Sequence, residues 1–90
     1  METMIIKGDF TTEKALEWKK LLNKAAQRSS SLHLDLRETQ DADIVGVNAI
    51  ATTFKMLQDK NGHMKLKLNE GSAIHKLLRQ TKFLEIIKKS

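Results

Sequence analysis

Between residues 32 and 36 the chain reads Leu32-His33-Leu34-Asp35-Leu36, apolar and polar in strict alternation. A period of two puts the three leucines on one face of a strand and His33 and Asp35 on the other. On either side the period lengthens. Ala15, Trp18, Leu21, Leu22, Ala25 and Ala26 recur at three- and four-residue spacings between Thr12 and Arg28, and Val47, Ile50, Ala51, Phe54 and Leu57 do the same further on. Both stretches predict amphipathic helices. A one-sided strand between two one-sided helices buries its leucines only if the helices return to cover it, so a β-α-β layout is the first constraint on the fold.

The rest of the chain extends that pattern. Met4-Ile5-Ile6-Lys7 reads as a short strand ended by Gly8-Asp9, and Thr11 or Thr12 is available as the N-cap of the first helix. Arg28-Ser29-Ser30-Ser31 is a polar loop, and Asn61-Gly62 supplies a left-handed residue to close the second helix. His63-Met64-Lys65-Leu66-Lys67-Leu68 alternates again. Gly71-Ser72 opens a third helix with Ile74, Leu77 and Leu78 inward, and Phe83, Leu84, Ile86 and Ile87 form a final apolar turn or short strand. The order β-α-β-α-β-α predicts an α/β fold, a small mostly parallel or mixed β-sheet with right-handed crossovers. Because the strands alternate instead of running continuously apolar, the helices are expected to pack mainly on one face. At 90 residues, one domain spanning 1–90 is expected.

Composition removes several function classes. The chain has no cysteine, which excludes disulfides, thiolate metal sites and thiol nucleophiles. No window reaches the roughly 18–20 apolar residues of a membrane span, and Met1-Glu2-Thr3-Met4 starts no secretion signal, so a cytoplasmic protein without membrane insertion is expected. The net charge of +5 is unevenly placed: residues 1–59 hold eight Lys/Arg and nine Asp/Glu, and residues 60–90 hold eight and two. A basic C-terminal third raises the alternative of a nucleic-acid or anionic-surface binder using Lys60, Lys65, Lys67, Lys76, Arg79, Lys82, Lys88 and Lys89. Three of the four aromatics, however, fall at core positions, leaving no stacking platform, so no nucleic-acid partner is expected. His33, His63 and His75 lack metal-ligand spacing. No nucleophile, base and orienting group recur together, so no catalytic residue, cofactor or metal is assigned and the chain is not read as an enzyme.

The segment from Leu32 to Ile50 resembles the signature of the STAS domain, the family of anti-sigma factor antagonists. The family pattern is a strand ending in Asp-Leu, a six-residue connection, then Asp-Ser-Ser-Gly opening a helix. Asp35-Leu36 and Asp43-Ile44-Val45-Gly46 keep that spacing. Ile5-Ile6-Lys7-Gly8-Asp9-Phe10, Asn61-Gly62-His63-Met64-Lys65-Leu66 and the stretch from Ile74 to Ile86 are similar to the family's remaining elements. The resemblance implies a non-catalytic interaction module that docks a partner through Asp43, Ile44, Val45, Gly46, Val47 and Asn48. Its partner would be an anti-sigma kinase-like regulator or, alternatively, the ATPase of a lipid-transport ABC system, which such a chain serves as an accessory subunit.

One departure separates this chain from the family pattern. The family's phosphorylatable serine is the second of its pair, and Val45 stands there, after Ile44. With no hydroxyl at that position, no phosphorylation is expected at Val45, and docking there is insensitive to that switch. Thr39, Thr52 and Thr53 are the nearest hydroxyls. Asp43 has a second role available, as a helix cap; of Ile44 and Val45, either one turns inward while the other stands out as an apolar anchor, or both face outward as an exposed patch beside acidic residues.

Overall fold

The computed structural model describes residues 2–89, with side chains through Ile86. The side chains of Ile87, Lys88 and Lys89, assigned above to the apolar end and the basic set, lie outside the described residues. The chain runs β1 (Glu2–Ile5), β2 (Gly8–Phe10), α1 (Thr12–Arg28), β3 (Ser31–Asp35), β4 (Thr39–Ala42), α2 (Ile44–Asp59), β5 (His63–Lys67), α3 (Ala73–Gln80) and α4 (Phe83–Lys89). Strands β1, β3 and β5 form one parallel sheet in that spatial order, and β2 and β4 form a second parallel pair.

The alternation in sequence becomes two unlike sheet faces. Register aligns Met4 with Leu34 and Leu34 with Leu66, and likewise Leu32 with Met64. These side chains meet the helices in a core that includes Ile6, Phe10, Leu22, Leu36, Ile50, Leu57, Ile74 and Leu78. The other face carries the rows Thr3–His33–Lys65 and Ile5–Asp35–Lys67. Thr3, Lys65 and Lys67 are exposed there and Ile5 is 43% exposed, so that face is open. Helices on one face, over a parallel sheet, is the expected arrangement.

Four details differ from the sequence reading. The first strand starts earlier, and Gly8, at φ 76°, redirects the chain into a second strand. Strand β4 falls where a loop was expected, because Thr39-Gln40-Asp41-Ala42 has no apolar alternation and is held extended by pairing with β2. Its Thr39 is buried, with its hydroxyl donating to the Ile6 carbonyl at 2.8 Å. The apolar end is a helix, α4, anchored by Phe83, whose ring meets Phe54 edge-on at 5.6 Å. In α1 the buried stripe is Ala15, Leu22, Ala25 and Ala26, while Trp18 is half-buried and Leu21 is 48% exposed. The alanines let α1 settle closely on α2, which turns the bulkier Trp18 and Leu21 toward the rim.

Candidate functional site

Strand β2 leads into α1 and strand β4 leads into α2, so pairing β2 with β4 places the two helix starts side by side. Asp9 lies opposite Asp41 and Phe10 opposite Ala42. The residue after Ala42 is Asp43, the N-cap of α2. Its Oδ1 accepts from the backbone N–H of Val45 at 3.0 Å and of Gly46 at 3.3 Å. Its Oδ2 accepts from the backbone N–H of Thr12 at 2.9 Å and from the Thr12 hydroxyl at 3.1 Å. One carboxylate thus satisfies free donors at the start of both helices, donors that a helix cannot satisfy internally.

This arrangement explains a local anomaly. Thr11 precedes α1 at the N-cap position but makes no side-chain cap bond. Thr12 sits at φ 42°, a left-handed conformation that a β-branched residue adopts at a cost. The two bonds from Thr12 to Asp43 hold it there. The charge of Asp43 responds to the same contacts. Desolvation pushes its carboxyl up, but the Thr12 N–H and hydroxyl and the Gly46 and Val45 N–H groups outweigh it and hold the group below its ordinary range. Asp43 is therefore ionised at neutral pH, with both oxygens occupied.

The six residues 43–48 divide by exposure. Ile44, the first residue of α2, is 53% exposed. Val45 is half-buried against the core, Asn48 is exposed, and Gly46 and Val47 are buried. Gly46 has no room for a side chain: a Cβ there would lie 2.7 Å from both the carbonyl oxygen and the ring of Phe10. Gly46 and Val47 thus support a surface made by Ile44, Val45 and Asn48, bordered by exposed Asp9 and Asp41. Of the two apolar residues at the helix start, Ile44 is the one that stands out.

The neighbouring hydroxyls are placed unequally. Thr39 and Thr53 are buried, and Thr53 donates to the Ala49 carbonyl at 2.8 Å. Thr52 donates to the Asn48 carbonyl at 2.8 Å. The hydroxyl brought to Asp43 is that of Thr12, 31 residues away in sequence. Sequence reasoning took Thr12 only as a possible cap for its own helix, and no pattern along the chain marks so distant a partner.

The other candidates are spread over the molecule. His33 and His63 lie on β3 and β5, and His75 lies on α3, where its Nδ1 accepts from the Gly71 N–H at 3.3 Å. Among the described residues no three His, Asp or Glu side chains converge as a metal site. Asp35, which ends β3, is clasped by Arg37 through Nε at 2.9 Å and Nη2 at 2.8 Å. Those side-chain bonds, followed by the Arg37 backbone N–H, lower its carboxyl from 3.8 to about 2. Of the basic residues, Lys60 caps the end of α2, Lys65 and Lys67 lie on β5, Lys76 and Arg79 lie on α3, and Lys82 falls between α3 and α4. No described helix is long and apolar enough to cross a membrane.

The STAS domain family model matches residues 3–90. Among solved structures, the unphosphorylated form of the anti-sigma factor antagonist SpoIIAA superposes with a TM-score of 0.69 at 14% identity, over 86% of this chain and 71% of that one. A structure described as Mglu superposes with a TM-score of 0.66 at 18% identity, over 78% of this chain; the matched part is 18% of the Mglu chain. At these identities the two structures show a shared fold. No curated protein matches the sequence.

Proposed function

Because the chain belongs to the STAS domain family, we propose that it is a non-catalytic protein-interaction module, anti-sigma factor antagonist-like, that docks an anti-sigma kinase-like regulator through the start of α2. In this reading residues 1–90 act as one unit. The observation that carries the proposal is Ile44, a large aliphatic side chain 53% exposed on the first turn of a helix whose start is fixed by the four bonds of Asp43. A rigid apolar anchor over a supported backbone needs little ordering on binding, and such anchors dominate interface energies.

Val45 gives the proposal its regulatory side. At the family's serine position it offers no oxygen to phosphorylate, so the module binds independently of a phosphate there. The test is incubation with a purified anti-sigma serine kinase and ATP, followed by intact-mass measurement and by binding in the same mixture. A complex that forms without added phosphate on the chain is expected. Stoichiometric phosphorylation that abolishes the complex contradicts the phosphate-independent reading.

A further inference from the structure

Strand β5 is an edge, since among the described residues its only neighbour in the sheet is β3. The His63 N–H donates to the Ser30 carbonyl and the Lys67 carbonyl accepts from the Leu36 N–H, so the backbone groups of His63, Lys65 and Lys67 point toward β3. In a parallel ladder the intervening residues point the other way, which leaves the N–H and C=O groups of Met64 and Leu66 on the free side. Along that side runs a mainly apolar groove of about 440 Å³ lined by Met64, Leu66, Leu68 and Leu84 together with Lys65, Glu70 and His75. In the rows of the open sheet face stand Lys65, which also borders the groove, and Lys67, both exposed. Neither forms an ion pair among the described residues.

We propose that this edge is a second docking site, which takes an extended acidic segment of a partner protein as an added strand on β5. The backbone groups of Met64 and Leu66, which pair with no other strand among the described residues, supply the hydrogen-bonding frame. A strand has two faces, and here they have different chemistry. Alternate side chains of the added segment enter the groove against Leu66 and Leu84 and must be apolar, while those between them lie beside Lys65 and Lys67 and must be acidic. A second copy of this chain is the poorer occupant, because pairing β5 with its own copy brings lysines against lysines. Lysine on an edge strand also guards against such self-pairing, and that guard selects for a partner of opposite charge. This site is distinct from the start of α2 and does not depend on it.

The probe is a synthetic peptide, Glu-Val-Glu-Leu-Glu-Val, capped at both ends. A block peptide of the same composition, with its glutamates together, serves as control. Binding is followed by fluorescence anisotropy and by amide hydrogen exchange on the full chain. The alternating peptide is expected to bind, to slow exchange at Met64 and Leu66 by tenfold or more, and to lose at least tenfold in affinity in the Lys65→Glu/Lys67→Glu variant. Ile44→Asp should leave this binding unchanged. Equal binding of the block peptide, or binding without protection of Met64 and Leu66, reduces the site to charge attraction and overturns the proposal. Absence of binding, or protection of the same amides by concentration-dependent self-association without peptide, overturns it as well.

Discussion

At the scale of single residues the structure turns on two carboxylates and a glycine. Asp43 ties two helix starts together, so Asp43→Ala removes partners from donors on both α1 and α2. A drop in melting temperature of about 4–8 °C is expected, in the range of a lost cap in a domain of this size. Thr12→Ala removes one of those bonds and should cost less. Gly46→Ala forces a Cβ onto the Phe10 carbonyl and ring, and should cost about 1–3 kcal/mol in urea unfolding through the shift it imposes. Asp35 makes a prediction about acid. Its carboxyl is lower folded than unfolded, so its contribution is complete above 3.8 and is lost as pH falls through about 2. Thermal melts of the native chain should fall across that window, and Asp35→Asn should flatten the dependence.

At the scale of elements, the contrast between Leu22 and Trp18 tests the packing of α1. The sequence period set both inward, but the structure buries Leu22 fully and leaves Trp18 half-buried. Leu22→Ala should therefore cost about 2–5 kcal/mol, and Trp18→Ala should fall below the roughly 3–5 kcal/mol of a fully buried tryptophan. If Trp18→Ala is the more damaging in chemical denaturation, the rotation of α1 described above is wrong. The same comparison shows what periodicity conveys. A spacing of three and four names the apolar stripe of α1, but the choice within that stripe belongs to α2, whose close approach favours the alanines.

Strands were legible where their side chains alternate and illegible where only pairing makes them. The rows led by Leu32 and Leu34 were readable along the chain because one face is buried. Strand β4 was not, since Thr39-Gln40-Asp41-Ala42 carries no hydrophobic pattern and is extended only because β2 lies beside it. The α4 segment was ambiguous for another reason: Phe83, Leu84, Ile86 and Ile87 are too few to separate a helical turn from a short strand. At the candidate site, the Asp43 cap was readable from its position before an apolar helix. Its hold on Thr12 depends on β2 and β4 lying together, a contact with no local signature.

At the scale of the whole molecule, one face of the parallel sheet is closed by helices and the other is open. The start of α2 lies where β2 and β4 bring two helix starts together. The open face and the β5 edge are a different surface, with lysines in place of the aspartates that border Ile44. This separation lets docking at α2 be examined alone. A new carboxylate on the first turn of α2 is favoured by the helix dipole, whereas in an apolar contact it would have to shed its water unpaired. Replacing the exposed Ile44 by Asp should therefore change binding far more than folding, whereas Asp at the half-buried Val45 also costs stability.

The most direct measurement is the affinity of a purified anti-sigma kinase-like regulator for the native chain, Ile44→Asp, Val45→Asp and Lys65→Glu/Lys67→Glu, each with its thermal melt. Both aspartate variants are expected to lose at least tenfold in affinity, Ile44→Asp with a melting temperature close to native, and the lysine double variant to bind within a few-fold of the native chain. Native-like affinity in both aspartate variants, with binding abolished by the lysine reversals, would contradict docking at α2 and move the docking surface to the basic side of the sheet.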